Sequence, residues 1–152
     1  MIRKIKKGNI LFISGPVNSG KTTFLSGIIS HDNEKFIGFL APSGYLFGKK
    51  IYYLKGVNIP FSGIIASRDP TLIHPPILKW KNFFFSLYLF NSVTSYVIDN
   101  AKKFHYVVID EIGPLEYEGK GWNNLSDFVV KRNMKAIIIT RNFKELAKKL
   151  EI

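Results

Sequence analysis

The chain has 152 residues, 46% of them hydrophobic and 22% charged, which fits one globular domain with a normal core and excludes two ordinary domains. It has no cysteine, so disulfides and thiolate metal sites are excluded, and its three histidines, His31, His74 and His105, lack metal-ligand spacing. The net charge of +11 favours polyanions such as nucleotides and nucleic acids, although 18 of the 22 basic residues are lysine, as in a lysine-rich solvated surface.

The chain opens with charged residues and a short apolar run, Ile10–Ile13. That run leads straight into a glycine loop, so it reads as part of a buried strand, Lys6–Ser14, and not as a signal peptide. Gly15–Gly20 reads as the loop and Lys21–Ser30 as a helix. Glu34–Ala41 is a second strand, ended by Pro42-Ser43-Gly44. Lys49–Leu54 and Phe61–Ser67 read as a hairpin around Asn58 and Pro60. Pro70, Pro75 and Pro76 mark an irregular connection, and Asn82–Ser86 is a candidate strand. From Leu87 to Lys103, Leu87, Phe90, Val93, Val97 and Ala101 return at helical spacing. Asn91, Ser92, Thr94 and Ser95 interrupt Phe83–Ile98, so it lacks the run of about 18 apolar residues that a membrane span needs. A cytoplasmic protein with no membrane contact is therefore expected. Tyr106–Asp110 reads as a buried strand, Trp122–Arg132 as a helix, Ala136–Thr140 as a strand and Phe143–Leu150 as a closing helix.

Strands alternating with helices predict an α/β fold over residues 1–152, a three-layer arrangement whose central sheet is mostly parallel, with the antiparallel hairpin as an insertion.

Gly15-Pro16-Val17-Asn18-Ser19-Gly20-Lys21-Thr22 fits G-x-x-x-x-G-K-[ST] at every fixed position. A loop that leaves a strand and enters a helix turns successive backbone N–H groups toward an anion, and the helix dipole adds to the attraction. Gly15 and Gly20 permit backbone angles that a Cβ hinders. Lys21 can reach the β- and γ-phosphates, Thr22 can ligate Mg²⁺, and Thr23 closes the nucleotide-binding stretch.

Tyr106-Val107-Val108-Ile109-Asp110-Glu111 is an apolar strand ending in two carboxylates, the pattern of a Walker B strand. Asp110 is placed to hold Mg²⁺ and Glu111 to orient and deprotonate water, a pairing that suggests hydrolysis. Glu116, beyond the Ile112-Gly113-Pro114-Leu115 turn, is either an outer support of the metal and water or a solvated loop carboxylate.

The Asp110–Glu116 segment DEIGPLE, continuing to Trp122, resembles the small P-loop nucleoside-triphosphatases of thermophilic archaea and bacteria, relatives of the human cancer-related nucleoside-triphosphatase. Phe36-Ile37-Gly38-Phe39 is similar to that family's G-F segment, and Ile65-Ala66-Ser67-Arg68 to its L-x-R segment. The resemblance implies a P-loop fold of the additional-catalytic-glutamate type, with Asp110 as Walker B aspartate and Glu111 as catalytic glutamate. A phosphate loop grips only phosphates and no N-K-x-D segment for guanine is present, so hydrolysis of ATP, GTP, CTP and UTP with low base selectivity is expected. Two departures stand out. Asn18 occupies a position where glycine is frequent, and asparagine tolerates left-handed angles better than most residues. Ala41-Pro42-Ser43-Gly44 replaces the charged residues that often follow the G-F strand.

Thr140 and Arg141 end a strand at the edge where ligands of open α/β sheets bind. Thr140 is a candidate γ-phosphate sensor, and Arg141 and Arg68 are candidates for neutralising transition-state charge. Lys79-Trp80-Lys81 with Phe83–Phe85 mixes basic and aromatic residues, a pattern suited to weak single-stranded nucleic-acid binding where exposed. Two rivals to hydrolysis remain open. One is a nucleotide or small-molecule kinase, against which the count of four arginines argues. The other is a nucleotide-switched nucleic-acid-binding protein.

Overall fold

The computed structural model describes residues 1–152. Its strands are β1 (Arg3–Lys7), β2 (Ile10–Ser14), β3 (Phe36–Leu40), β4 (Ser43–Leu46), β5 (Lys49–Val57), β6 (Ser62–Ser67), β7 (Ile77–Trp80), β8 (Phe83–Ser86), β9 (Tyr106–Ile112) and β10 (Ala136–Thr140). Its helices are α1 (Lys21–Ser30), α2 (Leu87–Asn100), α3 (Pro114–Tyr117), α4 (Asn123–Lys131) and α5 (Phe143–Leu150). All ten strands join one mixed sheet in the order β1-β2-β10-β9-β3-β5-β6-β8-β7, with β4 also paired to β5.

The centre of the sheet, β2-β10-β9-β3, is parallel throughout. All residues of β3 and β10 are buried, as in strands covered on both faces. One face carries a cluster of 23 buried residues that joins α2, α4 and α5 to Phe12, Phe39, Ile109 and Ile138. The other carries nine, centred on Leu25 and Ile29 of α1 against Ile13, Val108 and Ile139. The layers are therefore unequal, and α1 alone backs the strands that lead into the phosphate loop. Each covering helix presents a short apolar stripe: Leu25 and Ile29 on α1, Val93 and Val97 on α2, Leu125 and Val129 on α4, Leu146 and Leu150 on α5. Ser86 and Asn142 cap α2 and α5 by accepting the N–H of Leu89 (3.2 Å) and Glu145 (3.2 Å). No helix is long and apolar enough to cross a membrane.

Several sequence expectations are corrected. The first strand is two: Gly8, at φ 58°, turns the chain so that Lys6 and Lys7 belong to β1, antiparallel to β2. The second strand starts at Phe36, after a 3₁₀ turn over Asn33–Lys35. The hairpin is no appendage. β5 pairs with β3 and continues the sheet into an antiparallel wing that also holds β4, β6, β7 and β8. Pro42 precedes β4 without disrupting it, because its carbonyl only has to accept the Tyr53 N–H (2.9 Å) and a missing donor costs nothing there. The Pro70–Pro76 stretch contains a short 3₁₀ turn, and β7 follows it directly.

Gly38 explains the G-F segment. It sits in β3 at φ 148°, and any Cβ there would overlap the Val108 carbonyl of β9. The two central strands approach each other only because this side chain is absent.

Candidate functional site

The carboxyl ends of the central strands converge with the N-terminus of α1 on a cleft of about 360 Å³. It is lined by Val17 to Thr23, by Asp110 and Glu111, by Arg141, and by Ala41, Pro42, Ser43, Lys50 and Tyr52. The phosphate loop lies between β2 and α1, as its sequence required. Asn18 adopts φ 60° and Gly20 φ 87°. Asparagine thus takes up the left-handed conformation that glycine often supplies. A Cβ on Gly15 would come within 2.9 Å of both the Met1 carbonyl and Ser19 Oγ, so this position is closed to larger residues.

Lys21 is buried. Its ammonium donates to the carbonyls of Gly15 (2.7 Å) and Pro16 (2.6 Å), and lies 3.4 Å from Ser19 Oγ. Burial pushes its pKa down, Arg141 adds to that effect, and Glu111 and Asp110 oppose it.

Asp110 is almost wholly buried and receives two hydrogen bonds on Oδ2. Thr22 Oγ1 donates one at 2.9 Å and the Ala41 N–H the other at 2.8 Å. Burial raises its pKa, and those two donors pull it back. Ala41 was invisible as a site residue from sequence. Its contribution is a backbone group, placed by the pairing of β3 with β9, and no side-chain signal marks it. Thr22 and Asp110 together offer hard oxygen donors at the foot of the phosphate loop, the donor type that suits a small divalent cation. No trio of His, Cys, Asp or Glu side chains forms an all-protein cage.

Glu111 owes its position to a β-bulge. Ile138 pairs with Ile109 but Thr140 pairs with Ile112, so Asp110 and Glu111 together oppose one residue of β10. In an unbroken strand, alternation would send Glu111 to the face that Ile109 shares with α2. The extra residue lets Ile112 take that face instead, and Glu111, at φ 82°, turns toward the cleft. A positive φ on glutamate costs of order 1–3 kcal/mol and persists where surrounding contacts enforce it, often at functional sites. Arg141 Nε lies 3.0 Å from Glu111 Oε1. Burial raises the Glu111 pKa, Arg141 lowers it, and Asp110 adds to the rise.

The other candidates fall elsewhere. Thr140 is fully buried, and its hydroxyl donates to the Ile112 carbonyl (2.8 Å) and accepts the Asn142 N–H (3.3 Å). It secures the bulge and does not line the cleft, which corrects its reading as a phosphate sensor. Arg68 also lies outside the cleft, with its guanidinium 5.4 Å from the centre of the Phe83 ring. Glu116 is not solvated. It is buried, and its oxygens accept the N–H groups of Gly113 (2.8 Å) and Trp122 (3.0 Å). Burial raises its pKa to about 7, against the pull of those donors. Gly121 makes room for it: a Cβ there would overlap Glu116 Oε2. Trp80, Phe83 and Phe85 pack against the core and are only partly exposed.

The family model described as NTPase matches residues 10–151, nearly the whole chain. The chain belongs to the NTPase family. Searches of curated proteins and of solved structures return no match. Family membership makes this a P-loop, nucleotide-binding enzyme that hydrolyses nucleotides. Of the residues singled out in the sequence, Lys21, Thr22, Asp110, Glu111 and Arg141 all meet in this cleft. Pro42, Ser43, Lys50 and Tyr52 join them from β4 and β5, whose place beside the loop depends on long-range strand pairing.

Proposed function

We propose that the chain is a Mg²⁺-dependent nucleoside-triphosphatase of the additional-catalytic-glutamate type. It would convert ATP, GTP, CTP and UTP to the diphosphate and phosphate with low base selectivity. The observation that carries this reading is the bulge that turns Glu111 into the cleft beside Asp110 and against Arg141.

In this scheme the backbone N–H groups of residues 15–23 and the Lys21 ammonium hold the phosphates. Thr22 and Asp110 would hold the Mg²⁺, which supplies charge neutralisation at the phosphate oxygens. Glu111 accepts a hydrogen bond from the attacking water and takes its proton. Arg141 orients Glu111 and keeps it ionised against its burial. Lys21 stabilises charge as it spreads over the transferring phosphoryl group. A phosphate loop grips phosphates and not bases, and the chain has no N-K-x-D segment for guanine. Rates for the four nucleotides are therefore expected to lie within about tenfold, a barrier spread of about 1.4 kcal/mol.

Single-turnover hydrolysis beside direct nucleotide binding tests the scheme. Lys21→Ala should weaken binding and turnover together, because Lys21 acts in the ground state. Glu111→Gln should lower kcat by about a hundredfold or more, the usual scale for a positioned general base, with affinity within a few-fold. Parent-rate hydrolysis by folded Glu111→Gln removes Glu111 as the base.

A further inference from the structure

A second cavity, of about 220 Å³, adjoins the phosphate cleft. The two share Ala41, Tyr52, Asp110, Glu111 and Arg141, so the Glu111–Arg141 pair stands between them. Away from that partition the walls are aromatic: Trp80, Phe83, Phe85 and Trp122. Hydrolysis requires only water and leaves this space unused.

Its chemistry narrows what fits. The volume is below the roughly 300–1,000 Å³ of sites for drug-sized ligands, so it suits one ring system with a short arm. Aromatic walls favour a planar π-face, which they can stack against or meet edge-on. The ionisable groups lining it are three carboxyls, Asp110, Glu111 and Glu116, and one cation, Arg141, which is already paired with Glu111, while Arg68 lies over the Phe83 ring and Lys81 over the Trp80 ring. Negative charge on the ligand's reacting end would face the Asp110 and Glu111 carboxyls at the partition, so that end is an uncharged one. The polar end of such a ligand belongs at the partition, within reach of Glu111.

We propose that this cavity takes a second substrate, an uncharged aromatic alcohol of nucleoside size or smaller, and that its hydroxyl replaces water beside Glu111. The inference rests on the hydrolase reading for its phosphoryl donor, a nucleoside triphosphate. Glu111 takes the hydroxyl proton as the alcohol oxygen bonds to the γ-phosphorus. The bond from that phosphorus to the bridging oxygen breaks, its electron pair stays on the β-phosphate, and the nucleoside diphosphate leaves. The products are a phosphate monoester and the diphosphate. Water and alcohol thus compete for one base, and occupancy of the aromatic cavity decides which is phosphorylated.

The chain's only two tryptophans, Trp80 and Trp122, both line this cavity, so intrinsic fluorescence reports on it without nucleotide or turnover. Adenosine, uridine and 3-pyridinemethanol serve as probes, the last separating a simple heteroaromatic alcohol from a nucleoside. At least one probe should change the fluorescence saturably. Phe83→Ala, checked for folding by circular dichroism, should weaken that binding about five- to a hundredfold, the scale of losing one stacking partner. With Mg·ATP added, mass spectrometry should show the phosphorylated probe, and Glu111→Gln should abolish it. Absence of saturable binding by all three probes overturns the site. Saturable binding with inorganic phosphate as the only product overturns the transfer step. Saturable binding with no nucleotide cleavage of any kind refutes the hydrolase reading, and the transfer with it, while the cavity's affinity for aromatic alcohols stands.

Discussion

Glu116 should make stability depend on pH in the direction opposite to an ordinary salt-bridged carboxylate. Its folded-state pKa is raised by burial from 4.5 to about 7. The folded protein therefore holds this proton more tightly than the unfolded chain does. The stabilisation is complete below about pH 4.5 and is lost as pH rises through about 7. The gap of about 2.5 pH units converts, at about 1.4 kcal/mol each, to about 3 kcal/mol. Asp110 and Glu111 are also raised by burial and contribute in the same direction, so wild-type stability alone does not isolate Glu116. Glu116→Gln does isolate it. The amide cannot ionise, and since one of its ends is a donor, it satisfies at most one of the Gly113 and Trp122 N–H groups. That loss is a constant offset at every pH. Urea unfolding of both proteins from pH 4 to pH 8 should show the advantage of wild type over the variant shrinking by about 3 kcal/mol. In thermal melts this is a change of about 6–12 °C in the Tm difference, for a domain of this size. A difference that stays flat across the range would mean that Glu116 is ionised throughout, its two N–H donors outweighing its burial.

Arg141→Ala removes the leading influence that lowers the Glu111 pKa. The base must be ionised to act, so the acid limb of the kcat/KM profile should move to higher pH; an unmoved limb would separate Arg141 from Glu111. Gly38→Ala forces a Cβ onto the Val108 carbonyl at a backbone angle that alanine disfavours. It should cost about 3 kcal/mol or more in denaturant unfolding, and a loss under 1 kcal/mol would show that β3 and β9 can part there. The +11 surface should bind single-stranded nucleic acid only weakly and with a steep salt dependence. Submicromolar affinity at physiological salt in a fluorescence-anisotropy titration would contradict that.

Local patterns were legible and pairing was not. α1, β10 and α5 follow from caps, apolar spacing and the fixed residues of the phosphate loop, all within about ten positions of one another. The hairpin strands were recognisable, but their junction with β3 joins Gly38 to Val57, across the intervening turn and β4. Nothing local specifies that register. β4 and β7 are four-residue edge strands, half exposed, without an apolar alternation long enough to register. Among the site residues, the difference between Arg141 and Arg68 lay in topology. Arg141 follows a central parallel strand at its carboxyl end, where a ligand is expected, whereas Arg68 leaves the antiparallel wing. Thr140 and Glu116 were recognised as notable for their positions, yet the polar groups that claim them are backbone atoms of Ile112, Gly113 and Trp122, which no sequence pattern displays.

These backbone bonds account for why the acidic pair is followed by so specific a turn. Glu111 can face the cleft only while the bulge holds it at a positive φ, and that conformation carries its own cost. Two constraints beside it resist relaxation. Thr140 ties the Ile112 carbonyl to β10, and Glu116 ties the Gly113 N–H to the Trp122 N–H across α3. The second tie needs a buried carboxyl, which in turn needs Gly121 to leave it space and Leu115 and Trp122 to shield it. Trp122 is itself stacked on Phe39 of the neighbouring strand, so the turn is anchored to the same core that fixes β3 against β9. In the proposed scheme Asp110 faces the metal and Glu111 the attacking water. The residues from Ile112 to Trp122 hold those two carboxylates in a geometry that an unconstrained strand end would not keep.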